Sequence, residues 1–145
     1  MMPAFDSTLP RFVFDTNIIL DFFVFEDPGC THFLEALLEG KILSFCTPST
    51  LEELRIVLGR SVFSLTPEKQ EKILTNWKAL SVTLEDIPQE ALKCRDSDDN
   101  KFLDLAFQVK PCTLVSKDKL VLRVRSKARK LGITFCRPDQ ITDFA

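Results

Sequence analysis

A chain of 145 residues that is 45% hydrophobic can bury one substantial core but not two, so residues 1–145 are expected to form a single domain. No apolar run reaches the roughly 18 residues that a membrane span needs, and the N-terminus lacks the basic start and long apolar stretch of a secretory signal, so a cytoplasmic location is expected. The net charge of −2 conceals an asymmetry: residues 1–100 carry 9 Lys+Arg against 17 Asp+Glu, and residues 101–145 carry 10 against 4. An acidic portion able to collect cations is thus joined to a basic portion able to hold a polyanion.

In chain order, Arg11-Phe-Val-Phe14 is a short apolar run ending at Asp15, the pattern of a buried strand with a polar residue at its carboxyl end. A helix is expected from Asn17 to about Phe25. Pro28-Gly29 breaks it, helical periodicity resumes over Cys30–Glu39, and Gly40 supplies a stop before a strand over Ile42–Cys46. Thr47-Pro48 and Thr66-Pro67 each place a capping hydroxyl before a first-turn proline, predicting one helix whose buried stripe is marked by Leu51, Leu54 and Leu58 and a second helix through Leu80.

An edge strand is expected over Val82–Leu84. The polar run Arg95–Asn100 then leads into a helix bearing Phe102, Leu103, Ala106 and Val109, followed by a strand over Cys112–Val115, a basic helix, and a last strand over Ile133–Phe135. Strands alternating with helices predict an α/β fold: a three-layer α/β/α sandwich around a mostly parallel sheet of four to five strands.

The cysteines, Cys30, Cys46, Cys94, Cys112 and Cys136, are odd in number and form no Cys-x-x-Cys pair, which favours buried free thiols over a zinc or redox site. His32 is the sole histidine. A Ser-His-Asp triad, a Cys-His nucleophile and a histidine-rich metal site are therefore disfavoured, and His32 is expected to be structural.

Sites in open parallel sheets form beyond the carboxyl ends of the strands, where Asp15, Ser116 and Asp118 fall. Any one such aspartate could equally be a turn or helix cap. At about 100° per residue, Glu53 lies at the margin of the Leu51–Leu54–Leu58 stripe, whereas Glu52 lies roughly 150° away and could serve a capping box with Ser49. Asp99 projects within roughly 30° of the next helix's buried face, while Asp104 points roughly 160° away. Gathered carboxylates repel unless a cation neutralises them, and hard oxygen ligands favour Mg2+ or Mn2+.

Together Phe-Val-Phe-Asp15-Thr16-Asn17, Glu53-Leu54, the run Cys94-Arg-Asp-Ser-Asp-Asp-Asn-Lys-Phe-Leu-Asp-Leu-Ala106 and Leu114-Val-Ser-Lys-Asp118 resemble, in order and spacing, the motifs of PIN-domain nucleases. The resemblance runs from about Arg11 to Asp139 and is closest to the VapC-like toxins of type II toxin–antitoxin pairs. It implies a PIN-like fold and a metal-dependent endoribonuclease whose catalytic, metal-binding acids are Asp15, Glu53, Asp99 and Asp118, with Asn17 and Ser116 as polar partners. It also implies an antitoxin partner and a homodimer. Ser97 stands where this subgroup often has proline, and Asn100 where a further acid is common.

Lys117–Lys130 holds seven basic residues and one acid, with Leu120, Val121, Val124 and Ala128 as an apolar stripe. Its basic side is either a solvated face or a phosphate-contacting surface, with Lys117, Arg123 and Arg125 as the substrate-binding candidates for RNA. Ile18–Phe25 is either fully buried or leaves Phe22, Phe23 or Phe25 as a flank for association. Two other functions stay open: a PIN fold that binds RNA or protein without cutting it, and aspartyl-phosphate chemistry on Asp15, against which Asn17 occupies the place of the usual second acid.

Overall fold

The computed structural model describes residues 8–87, 100–117 and 129–144. Five strands, β1 (Arg11–Phe14), β2 (Leu43–Cys46), β3 (Ser81–Thr83), β4 (Cys112–Val115) and β5 (Ile133–Cys136), form one sheet in the order β3-β2-β1-β4-β5. Every pairing is parallel. The described helices are α1 (Thr16–Phe23), α2 (Thr31–Leu38), α3 (Pro48–Leu58), α4 (Pro67–Leu80) and α5 (Asn100–Val109), with short 3-10 turns at Ser61–Phe63 and Pro138–Gln140.

Alternation along β1 divides the core. Phe12 and Phe14 turn to one face, where they pack with α1, α2, α3 and α4. Val13 turns to the other and meets Phe102, Leu103, Ala106 and Val109 of α5. This is the expected three-layer α/β/α arrangement, at the upper end of the expected strand number. On the first face Phe14 packs edge-on to Phe22, Phe33 and Trp77, with ring centroids 5.3–6.0 Å apart.

Local chemistry accounts for the boundaries. Thr47 caps α3 reciprocally with Thr50 rather than Ser49 doing so with Glu52, because the hydroxyl preceding Pro48 already meets the Thr50 N–H. Glu52 instead turns outward and accepts from Arg55 Nε at 2.9 Å, which lowers its carboxyl pKa. Gly40, at φ 72°, ends α2 with paired bonds from Gly40 N–H to Leu37 and from Lys41 N–H to Ala36.

His32 has the structural role expected of it: Nε2 lies 2.6 Å from the Ile141 carbonyl, and its ring stacks on Phe144. Cys30, Cys46, Cys112 and Cys136 are buried and free. Burial pushes the thiols of Cys30 and Cys112 up to about 12 and that of Cys136 up to about 11. Cys94 and the basic helix up to residue 128 lie outside the described residues.

Candidate functional site

The parallel register of β1 and β4 pairs Phe14 with Val115, so the next residues, Asp15 and Ser116, emerge side by side at the carboxyl edge of the sheet. Both are buried, Asp15 at 5% exposure and Ser116 at 1%. Asp15 caps α1, its Oδ1 accepting from the Ile18 N–H at 3.0 Å, while the Ser116 hydroxyl donates to Oδ2. These hydrogen bonds satisfy polar oxygens that would otherwise be costly to bury.

Glu53 reaches this edge from the second turn of α3. The buried Thr16 hydroxyl, one residue after Asp15, donates to its Oε2, and the ammonium of Lys101, in the first turn of α5, lies 3.1 Å from its Oε1. Thr16, the residue after Asp15 in sequence, thus ties Glu53 to the start of α1. The distinction between neighbours holds: the Glu53 side chain is 20% exposed, whereas that of Glu52 is 54% exposed and paired away from the edge.

Asn17 has an exposed side chain and no hydrogen bond among the described residues. Lys117 follows Ser116, yet its ammonium is taken up by Asp21 at 2.8 Å and Asp27 at 3.1 Å. Hydrogen bonding to Asp21 is the main cause of its raised pKa. Asp99, Asp118, Arg123 and Arg125 lie outside the described residues.

Sequence reasoning missed a second grouping. Asp21, Asp27 and Cys30 bring their ligand atoms within 4.8 Å of one another beside a cavity of about 360 Å3 that Arg137 and Asp139 help to line. The signal was a lone aspartate in an otherwise apolar helix. This cluster is poorly suited to a hard cation, because Lys117 already neutralises it and the Cys30 thiol is held protonated by burial and by Asp21. At the first site Lys101 meets one oxygen of Glu53, but the candidate donors are all carboxylate oxygens, with no thiol among them, and such oxygens fit Mg2+ or Mn2+.

A parallel α/β sandwich with acids gathered at the carboxyl edge defines a class whose sites are assembled from strand ends and helix starts. The profile of the family described as PIN domain matches residues 11–120, and the chain belongs to that family. Among its relatives in sequence is the uncharacterized protein MJ1680 of Methanocaldococcus jannaschii, 29% identical over 133 residues, which span 85% of this chain and 80% of that one.

Among solved structures, VapBC2 from Rickettsia felis bound to a DNA fragment from their promoter gives a TM-score of 0.58 at 13% identity, covering 88% of this chain and 98% of that chain. FitAcB from Neisseria gonorrhoeae gives 0.55 at 14% identity, covering 90% and 99%. At such identities the likeness concerns the fold.

Proposed function

We propose that this protein is a metal-dependent endoribonuclease and the toxin member of a toxin–antitoxin pair, with Asp15, Glu53, Asp99 and Asp118 as its metal ligands. The observation that carries this reading is the placement of Asp15, buried and held through both oxygens at the carboxyl edge of the sheet, with Glu53 tied by a hydrogen bond to the next residue, Thr16. Membership of the PIN-domain family supports it. The other two acids adjoin, in sequence, residues at that same edge: Asp99 precedes α5, and Asp118 follows Lys117.

Mg2+ or Mn2+ held there supplies Lewis-acid stabilisation of charge on the phosphodiester and a more acidic water. The protein's part is to hold its oxygens ready. Ile18 N–H and Ser116 orient both oxygens of Asp15, and Thr16 orients one oxygen of Glu53. With the Lys117 ammonium engaged by Asp21 and Asp27, phosphate contact falls to Arg123 and Arg125 in this reading.

An antitoxin partner is supported by the fold's likeness to VapBC2 and FitAcB. Self-association is assigned to the flank where Phe25, 58% exposed, packs on Phe63 beside Val62, 78% exposed, while Phe22 is buried. The cytoplasm is the proposed site of action; among the described residues no helix is long and apolar enough to cross a membrane.

Asp15→Asn tests the central claim. Cleavage of RNA in Mg2+ or Mn2+ should fall at least about a hundredfold, with an unchanged circular dichroism spectrum. Cleavage at the wild-type rate in that variant refutes the assignment, and wild-type protein that binds RNA yet neither binds Mn2+ nor cuts would establish the non-catalytic alternative.

A further inference from the structure

Both oxygens of Glu53 are already engaged, one by the Thr16 hydroxyl and the other by the Lys101 ammonium at 3.1 Å. The two side chains of this ion pair are only 20–22% exposed, so water screens their attraction less than at an open surface. An ammonium cannot bind a metal ion. It takes up part of the acceptor capacity of Oε1, and its charge repels an arriving cation.

The lysine stem is flexible enough to leave without moving α5. A cleft of about 340 Å3, lined in part by Ser49, Glu53, Val57, Arg60 and Lys101, gives it somewhere to go.

From this arrangement we propose that Lys101 is a built-in counter-ion of Glu53 that competes with the divalent cation for the carboxylate. Without metal it keeps Glu53 neutralised beside Asp15, and on metal binding it withdraws into the cleft. The metal concentration needed to load the site is thereby raised. The proposal rests on the reading of Glu53 as a metal ligand.

The test is Mn2+ binding, followed by calorimetry and by the paramagnetic resonance signal of free Mn2+, on the whole chain without substrate. Lys101→Met and Lys101→Gln, which remove the charge, should bind Mn2+ about three- to tenfold more tightly than wild type. Lys101→Arg, which keeps the charge, should stay near the wild-type affinity, as should Lys72→Met, which removes an exposed charge from α4. Unchanged or weaker binding in both neutral variants overturns the proposal, as does equal tightening in Lys72→Met. Loss of Mn2+ binding in Asp15→Asn with no tightening in the neutral Lys101 variants would sink the counter-ion role alone. Failure of the wild type to bind Mn2+ at millimolar concentration would sink the metal site, and this proposal with it.

Discussion

Two acidic groups lie along α1 and differ in how their charge is met. At the N-terminal end Asp15 is held by a backbone N–H and a hydroxyl, and Glu53 by a hydroxyl and one lysine. Near the C-terminal end Asp21 shares Lys117 with Asp27, while Cys30 contributes a thiol 3.5 Å from Asp21. Counting acids alone ranks the two groups alike. Their partners separate them: neutral donors hold Asp15 and one oxygen of Glu53, with Lys101 on the other, whereas the Lys117 ammonium bridges both Asp21 and Asp27 in a group that serves the fold.

That contrast is broken or sharpened most strongly by activity. Asp21→Asn should leave metal-dependent cleavage within about threefold of wild type while Asp15→Asn loses at least about a hundredfold, measured on one RNA under one set of conditions. Equal losses would erase the difference between the groups.

Stability should respond in the opposite place. Lys117→Met strands Asp21, whose side chain is 11% exposed, and should lower unfolding free energy by about 1–2 kcal/mol. This is below the usual cost of breaking a buried pair, because Lys117 itself is 46% exposed. Urea titration of the variant checks it, and Asp21→Asn in that background should recover part of the loss.

Alkaline pH should weaken the fold gradually. A thiol whose folded pKa is raised from 9.0 towards 12, as at Cys112, stays protonated in the fold while the unfolded chain releases its proton. Stability from that thiol therefore falls from pH 9 upward, by about 1.4 kcal/mol per pH unit at most. The raised pKa of Lys117 acts in the same direction: its contribution is whole below 10.5 and is lost as pH rises through the folded value. Urea midpoints at pH 8 and pH 10 measure the thiol effect, and equal midpoints would contradict this burial of the thiols. The smallest effect belongs to Glu52→Gln, expected to change stability by at most about 0.5 kcal/mol and cleavage hardly at all, since Glu52 is half exposed and pairs with exposed Arg55.

The sequence resolved these groups unevenly. Helix periodicity says which way a residue faces, so it separated Glu53 from Glu52 and exposed Asp21 as the odd member of an apolar helix. It does not say which residue of another element waits there. Lys101 and Lys117 find their carboxylates 48 and 96 positions away, through a strand order that periodicity cannot supply. Strand-end position and motif singled out Asp15 and Ser116, yet their hydrogen bond required β4 to lie beside β1. The turn signals Thr47-Pro48 and Thr66-Pro67 were legible because both halves of each signal are local. Asp99, equally favoured by helix geometry, falls outside the described residues.

The bond from Ser116 to Asp15 spans 101 positions, and β1 sits at the centre of the sheet with β2 on one side and β4 on the other. A chain growing on the ribosome can pair β1 with β2 early, but it must emerge past Val115 before the second flank of Asp15 closes. Such distant pairings make a parallel sheet slow to assemble. An incomplete translation product lacking β4 would carry Asp15, Thr16 and Glu53 without the wall that orients them, so the order of synthesis itself delays the appearance of a finished site.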